Sequence, residues 1–209
     1  ASMTGSGNVA IGQLAASALT TGSSNVFIGD TVAFNSAITA SDCIAIGQNS
    51  MRSASAISGA NNIGIGKDTF RNLSSGLSNV AIGRESANQL TTGQTNTYVG
   101  AAAGYNNLTG DNNVGIGFQA LVAATVSSLT AVGSNALVSN TSGANNTAVG
   151  RSALAAVVTT SNNTALGYLA GNATTGGDTT AIGSNALALS TGGNQNTAST
   201  LNSTVSGGI

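Results

Sequence analysis

The side chains that carry most enzyme chemistry are nearly missing from this chain. It has no histidine, which removes a Ser-His-Asp triad, a Cys-His pair and most catalytic zinc sites. Glu85 is the sole glutamate, and the aspartates Asp30, Asp42, Asp68, Asp111 and Asp178 are spread along the sequence. A glycosidase needs two carboxyl groups a few ångströms apart, so only neighbouring repeats or subunits could supply a pair. We read these acids as solvated turn residues. Cys43 is the only cysteine and forms no intrachain disulfide. It reads as a small residue filling a repeat slot. Gly64-Ile65-Gly66-Lys67 and Gly115-Ile116-Gly117 contain pieces of phosphate-binding loops without the spacing that such loops need. No catalytic, cofactor or metal site follows, and the expectation is a non-enzyme.

Binding chemistry has a few carriers. Lys67, Arg71, Arg84 and Glu85 fall close together, and Tyr105, Phe118 and Tyr168 stand where comparable positions are small or polar. Aromatic faces can stack on sugar rings or anchor a partner. Lys67, Arg71, Arg84, Tyr105, Phe118 and Tyr168 are therefore the candidate receptor contacts. Five basic residues against six acidic ones leave no electrostatic footprint for nucleic acid or anionic lipid. Apolar runs all fall short of the ~18 residues that span a membrane, so no membrane insertion is expected.

These side chains must be positioned by a repeat. A β-branched residue, a small residue, an aliphatic residue and a glycine recur eleven times, from Val9-Ala10-Ile11-Gly12 to Thr180-Ala181-Ile182-Gly183. The closing glycines are spaced 16 to 19 residues apart, which marks a solenoid. Hydrophobic residues make up 41% of the chain and fall in register, so the Gly/Ser/Asn-rich composition does not mean disorder. The absence of proline suits a backbone whose donors are nearly all used in a sheet. The expected fold is all-β: a parallel β-solenoid or β-roll of about eleven coils of ~17 residues, packed side by side as a homotrimeric rod. Residues 1–7 read as a lead or the remnant of an expression tag, 8–190 as the solenoid, and 191–209 as a degenerate last repeat or linker.

Counting from each glycine, the residue one before is Ile11, Ile28, Ile46, Ile65, Ile82, Val99, Ile116, Val132, Val149, Leu166 and Ile182. Three before is always β-branched. The two columns point the same way on a strand and are expected to form the core of each coil. The column between them, which includes Ala10, Ala45, Ala81, Ala131, Ala148, Ala165 and Ala181, is expected to face outward. Its small size suggests close approach of a second copy, so these alanines are the candidate inter-subunit contacts. Four before the glycine stands a run of asparagines, Asn8, Asn25, Asn62, Asn79, Asn96, Asn113, Asn146 and Asn163, which can stack as an amide ladder. The block after the glycine, as in Ser134-Asn135-Ala136-Leu137, reads as a short second strand.

The phrase Asn146-Thr147-Ala148-Val149-Gly150-Arg151-Ser152-Ala153-Leu154 resembles repeats of phage tail-fibre proteins that precede a self-cleaving chaperone domain of the endosialidase type. It is also similar to the head repeats of trimeric autotransporter adhesins. The resemblance covers roughly residues 8 to 190. It implies a left-handed homotrimeric rod that partners itself and meets a host-surface glycan or protein, located in a virion tail fibre. The alternative is the head of a bacterial surface adhesin. A third expectation, from another class, is an ice-binding solenoid, suggested by low charge and by threonine pairs such as Thr20-Thr21, Thr91-Thr92 and Thr159-Thr160.

Overall fold

A computed structural model describes residues 4–34, 37–190 and 195–199 of the chain. Every repeat closes one turn of a parallel β-solenoid, and no helix occurs among the described residues. The strands are β1 (Val9–Ile11), β2 (Val26–Ile28), β3 (Ile44–Ile46), β4 (Ile63–Ile65), β5 (Val80–Ile82), β6 (Thr97–Val99), β7 (Val114–Ile116), β8 (Thr130–Val132), β9 (Thr147–Val149), β10 (Thr164–Leu166), β11 (Ala173–Thr174), β12 (Thr180–Ile182), β13 (Leu189–Ser190) and β14 (Thr197–Ala198). All but β11 and β13 stack, each on the next, into one parallel twelve-stranded sheet. Equivalent residues pair without a slip, as in Val80↔Thr97, Ala81↔Tyr98 and Ile82↔Val99. At ~4.8 Å per strand the sheet runs about 50 Å along the rod.

Coil-to-coil bonding also occurs on either side of residues 8–190. The Thr4 N–H donates to the Thr20 carbonyl (2.8 Å), and Ser24 N–H to that of Ser6 (2.9 Å). At the other end, Thr197 and Ala198 pair with Thr180 and Ala181. Part of the 191–209 segment thus carries the sheet onward, and the rest of it, apart from residues 195–199, lies outside the described residues.

The expected assignment of inside and outside is reversed. Strand after strand, the middle residue is buried and its two neighbours are not. Ala45, Ala81, Ala131, Ala148, Ala165 and Ala181 are at most 1% exposed in the single chain, so they line the coil interior and cannot be inter-subunit contacts. Ala10 is exposed because the first coil is open at the rod's end. Conversely, Ile11, Ile82, Ile116, Leu166 and Ile182 are exposed, and Ile28, Ile46, Ile65, Val99, Val132 and Val149 are half-buried. Those columns are the outer face of the sheet, not the core.

Volume explains the reversal. A turn this short encloses a thin interior, and the wall opposite the sheet already sends a large side chain into it. In six of the eleven coils that residue, four after the glycine, is Met51, Phe70, Leu121, Leu137, Leu154 or Leu187, each at most 1% exposed; in the other five it is Ala16, Ala33, Ala87, Gly104 or Gly171. The sheet can add only a small side chain. Where one grows, another shrinks. Phe70 is matched by Gly64, where a Cβ would sit 2.9 Å from the Phe70 ring. Tyr98, the largest residue in the sheet's inner column, is matched by Gly104 across the coil and by Gly115 on the next strand. A side chain at either glycine would strike the Tyr98 ring.

The block after the glycine is not a second strand. Its second and fourth residues have left-handed backbones, as at Asn135 (φ 58°) and Leu137 (φ 50°), or Ser152 (φ 56°) and Leu154 (φ 50°). A strand sends successive side chains to opposite faces. Here adjacent residues, Ala136 with Leu137 and Ala153 with Leu154, are all fully buried, which the left-handed turn allows. The backbone still bonds from coil to coil: Ser152 N–H donates to the Ser134 carbonyl (2.9 Å) on one side, and Leu154 N–H to the Ala170 carbonyl (3.0 Å) on the other. Each left-handed non-glycine residue costs roughly 1–2 kcal/mol, which full burial of a leucine, ~1.5–3 kcal/mol, offsets. At the corner itself only glycine fits. Gly83 has φ 126°, and a Cβ there would lie 2.7 Å from the Gly100 carbonyl.

The asparagine ladder is present. Asn79 Nδ2 donates to Asn62 Oδ1 (3.1 Å) and to the Gly93 carbonyl (2.8 Å). Asn79 Oδ1 accepts the backbone N–H (2.9 Å) and the Nδ2 (3.0 Å) of Asn96. Each buried amide thus satisfies a carbonyl and an N–H of the following coil, groups that would otherwise be orphaned, and bonds the asparagine of the preceding one. Cys43 occupies this column, buried, with its N–H on Asn25 Oδ1 (2.9 Å). Burial pushes its thiol pKa up, so it sits as a small interior residue, not a reactive one.

Two outcomes test this packing. Ala148→Leu overfills its coil and lowers stability by about 1–3 kcal/mol. The double variant Ala148→Leu/Leu154→Ala regains much of that loss, as thermal melts can check; no recovery would place Ala148 outside the coil. Tyr98 supplies the second. Burial raises its hydroxyl pKa to about 12, against ~10 unperturbed. The neutral form is favoured in the fold, so its contribution is complete below pH ~10 and is lost as pH rises through about 12. Melting temperature falls across that window more steeply in the parent than in Tyr98→Phe.

Candidate functional sites

Two surfaces stand out, and they lie on different walls of the rod. The first is the outer face of the sheet. Strand alternation sends the first and third residue of each strand outward, giving two parallel columns of Val, Ile, Thr and Leu from Val9 and Ile11 to Thr180 and Ile182. Exposure reaches 58% at Ile11, 49% at Leu166 and 43% at Ile182. The strip measures about 50 Å by 10 Å, so roughly 500 Å² of continuous apolar face is open to solvent. Monomeric soluble proteins seldom leave an apolar patch of that size without using it.

The second surface belongs to the left-handed wall of three successive coils. Five charged residues, Lys67, Asp68, Arg71, Arg84 and Glu85, fall within one short stretch of a chain that is only 5% charged. The solenoid sorts them by slot. Lys67 and Arg84 directly follow their glycines, in the same row as Phe118 and Tyr168, and all four are exposed. Arg151, in that row too, lies over the Tyr168 ring (5.3 Å). Arg71 and Tyr105 occupy a different row, five after the glycine. They meet across a cleft of about 340 Å³ lined by Asp68, Arg71, Asn72, Glu85, Asn88, Gln89 and Tyr105. The six sequence candidates therefore divide: Arg71 and Tyr105 share a site, and Lys67, Arg84, Phe118 and Tyr168 do not line it.

The cleft's polar groups hold one another in place. Asn72 Nδ2 donates to Gln89 Oε1 (2.7 Å), Gln89 Nε2 to Asn88 Oδ1 (2.8 Å), and Asn88 Nδ2 to the Asp68 carbonyl (2.8 Å). Asp68 accepts from Asn49 Nδ2 (3.1 Å) and pairs with Arg71 (3.6 Å). Glu85 pairs with Arg84 (3.2 Å) at the rim. Asp68, Asn72, Asn88 and Gln89 were not singled out from the sequence as a site. The available signal was slot identity: these residues recur two, five and six after successive glycines, where later coils carry Val122, Ala123, Ala155 and Ala156.

Among the described residues no three His, Cys, Asp or Glu side chains come together to hold a metal ion, and no helix is long and apolar enough to cross a membrane. Comparison with family models, with curated proteins and with solved structures gives no match.

Proposed function

We propose that this chain is a structural, host-recognition segment of a viral tail fibre, a left-handed rod that assembles with two further copies of itself. The observation that carries the reading is the open apolar face of the sheet. A single coil has little core, and small cores are marginal; covering the face adds what the interior lacks. Identical parallel rods in register are related by rotation about an axis along the rod, and such an arrangement closes. The strip is long and narrow, so three of them fit around one axis and exclude water from both columns. With its flanking corners the buried area approaches the ~800 Å² per partner of a specific interface. The likeness of the repeat to tail-fibre sequences supplies the trimer, the handedness and the virion location. The adhesin-head alternative uses the same assembly, and flanking sequence separates the two.

The test is assembly. Ile46→Lys with Ile65→Lys places charge on the outer face without touching the interior. The parent is expected to sediment as a trimer and the double variant as a folded monomer. A parent that stays monomeric at high micromolar concentration would remove the reading.

One observation favours the ice-binding alternative. The threonine column, expected inside, is on the outer face, and Thr130, Thr147, Thr164, Thr180 and Thr197 follow one another along the last five strands of the twelve-stranded sheet. Repeated Thr at strand spacing gives a regular hydroxyl row. The earlier coils break it with Val and Ile at the same position, so the row covers less than half of the face. On the trimer reading, thermal hysteresis matches that of a buffer control; a concentration-dependent gap between melting and freezing would favour ice.

A further inference from the structure

We infer that the cleft between Asp68, Arg71, Asn72, Glu85, Asn88, Gln89 and Tyr105 is a binding site for a neutral sugar residue. The inference deepens the attachment reading above, because it gives the ligand class that the rod would meet. It does not depend on the trimer, since the cleft is on the wall opposite in sequence slot to the sheet face.

The chemistry of the lining sets the ligand class. A sugar ring offers adjacent hydroxyls, each both donor and acceptor, and an apolar face of C–H groups. The cleft offers carboxylates and amides, which accept and donate side by side, and one aromatic ring at the edge. Its size, about 340 Å³, is at the small end of ligand sites and suits one or two rings. Two carboxylates to one guanidinium make it a poor anion site, which argues against sialylated or sulfated sugars. A hydrophobic ligand would strip water from the remaining hydrogens and lone pairs of these groups without replacing its bonds, a cost of about 1–3 kcal/mol per group.

The cleft is also built before any ligand arrives. The chain Asn72 to Gln89 to Asn88 to the Asp68 carbonyl fixes three amides, Asn72 through its nitrogen and Gln89 and Asn88 through both oxygen and nitrogen. Each amide keeps further capacity: Gln89 Nε2 has a second hydrogen, and Asn72 Oδ1 makes no hydrogen bond among the described residues. Asn88 is 4% exposed and Asp68 8%, so the floor is buried, while the rim carries an exposed Arg71 and a half-buried Tyr105. Preorganised polar groups lose little freedom on binding. The rest of the same wall lacks this. In the coils after Gly117 and Gly150 the corresponding slots hold Gln119, Val122 and Ala123, then Ser152, Ala155 and Ala156.

The experiment is titration of the full chain with a panel of neutral oligosaccharides built from glucose, galactose, mannose and N-acetylglucosamine, alongside sialylated counterparts. Binding is read by calorimetry and by ligand-observed NMR. At least one neutral member is expected to bind. Tyr105→Ala and Gln89→Ala should each weaken it by roughly tenfold or more, whereas Phe118→Ala, outside the cleft, leaves it unchanged. Melting curves superimposable on the parent confirm that each variant is folded; if Gln89→Ala is not, Glu85→Gln replaces it. No binding by any neutral member, binding indifferent to both cleft substitutions, or preference for the sialylated series overturns the inference. Repeating the titration on Ile46→Lys/Ile65→Lys keeps the two readings apart: a monomer that still binds preserves the site without the trimer, and a trimer that binds nothing preserves the assembly without the site.

Discussion

A coil of 16 to 19 residues encloses a thin interior that a few large side chains fill, and that limit organises the rest of the molecule. The wall after the glycine claims the space with Leu137, Leu154 or Phe70. The sheet must then send in alanine or glycine, and its β-branched residues are turned outward. Interiors pack close to crystal density, so there is little slack for a further large group from the sheet. The exceptions obey the same limit: Tyr98 enters from the sheet only because Gly104 and Gly115 make way. A fold that saturates its interior with so little apolar volume has to place its remaining Ile and Val somewhere. They form the outer face of the sheet.

Satisfying the backbone is the second demand, and it is met almost without charge. Sheet, left-handed wall and turns all bond along the rod axis, so each coil uses its neighbours' donors and acceptors. The asparagine column closes the corner that strands cannot, with one amide serving two coils. Where asparagine is replaced, by Cys43, Leu129 or Thr179, the backbone N–H at that position still finds the preceding Asn Oδ1. The ladder tolerates such gaps because the accepting half of each bond belongs to the coil before. Substitutions can therefore enter single coils without breaking the register of the stack.

Period, parallel stacking, corner glycines and the amide ladder were all legible in the sequence, because each depends on residue type at a fixed offset. Which face of the strand lies inside was not. Val-Ala-Ile is apolar on both faces, so hydrophobic alternation gives no sign, and only volume decides. The deciding signal was nonetheless present. Phe27 and Tyr98 stand in the alanine column, and a column pressed against another chain has no reason to exchange size with residues of its own coil. Gly64 opposite Phe70, and Gly104 opposite Tyr98, do so. The left-handed wall was hidden for a different reason. Ala-Leu pairs have no intrinsic preference for φ > 0, and the conformation is imposed by the need to bury adjacent side chains.

The cleft shows how such a rod can carry a site at all. A perfect repeat offers the same row of side chains at every level and therefore no distinct place. Specificity needs residues that break the repeat in several adjacent coils and in the same slots, since stacking then brings them within contact distance. Asp68 and Glu85 share one slot, Arg71, Asn88 and Tyr105 a second, and Asn72 and Gln89 a third. Lys67 and Arg84 also break the repeat in adjacent coils, yet their slot is at the exposed corner and gathers no cavity. Slot, more than residue type, separates surface decoration from a site, because only some slots face a recess between coils. On this architecture the sheet face and the cleft draw on different slots of the repeat, so substitutions in one set need not disturb the other.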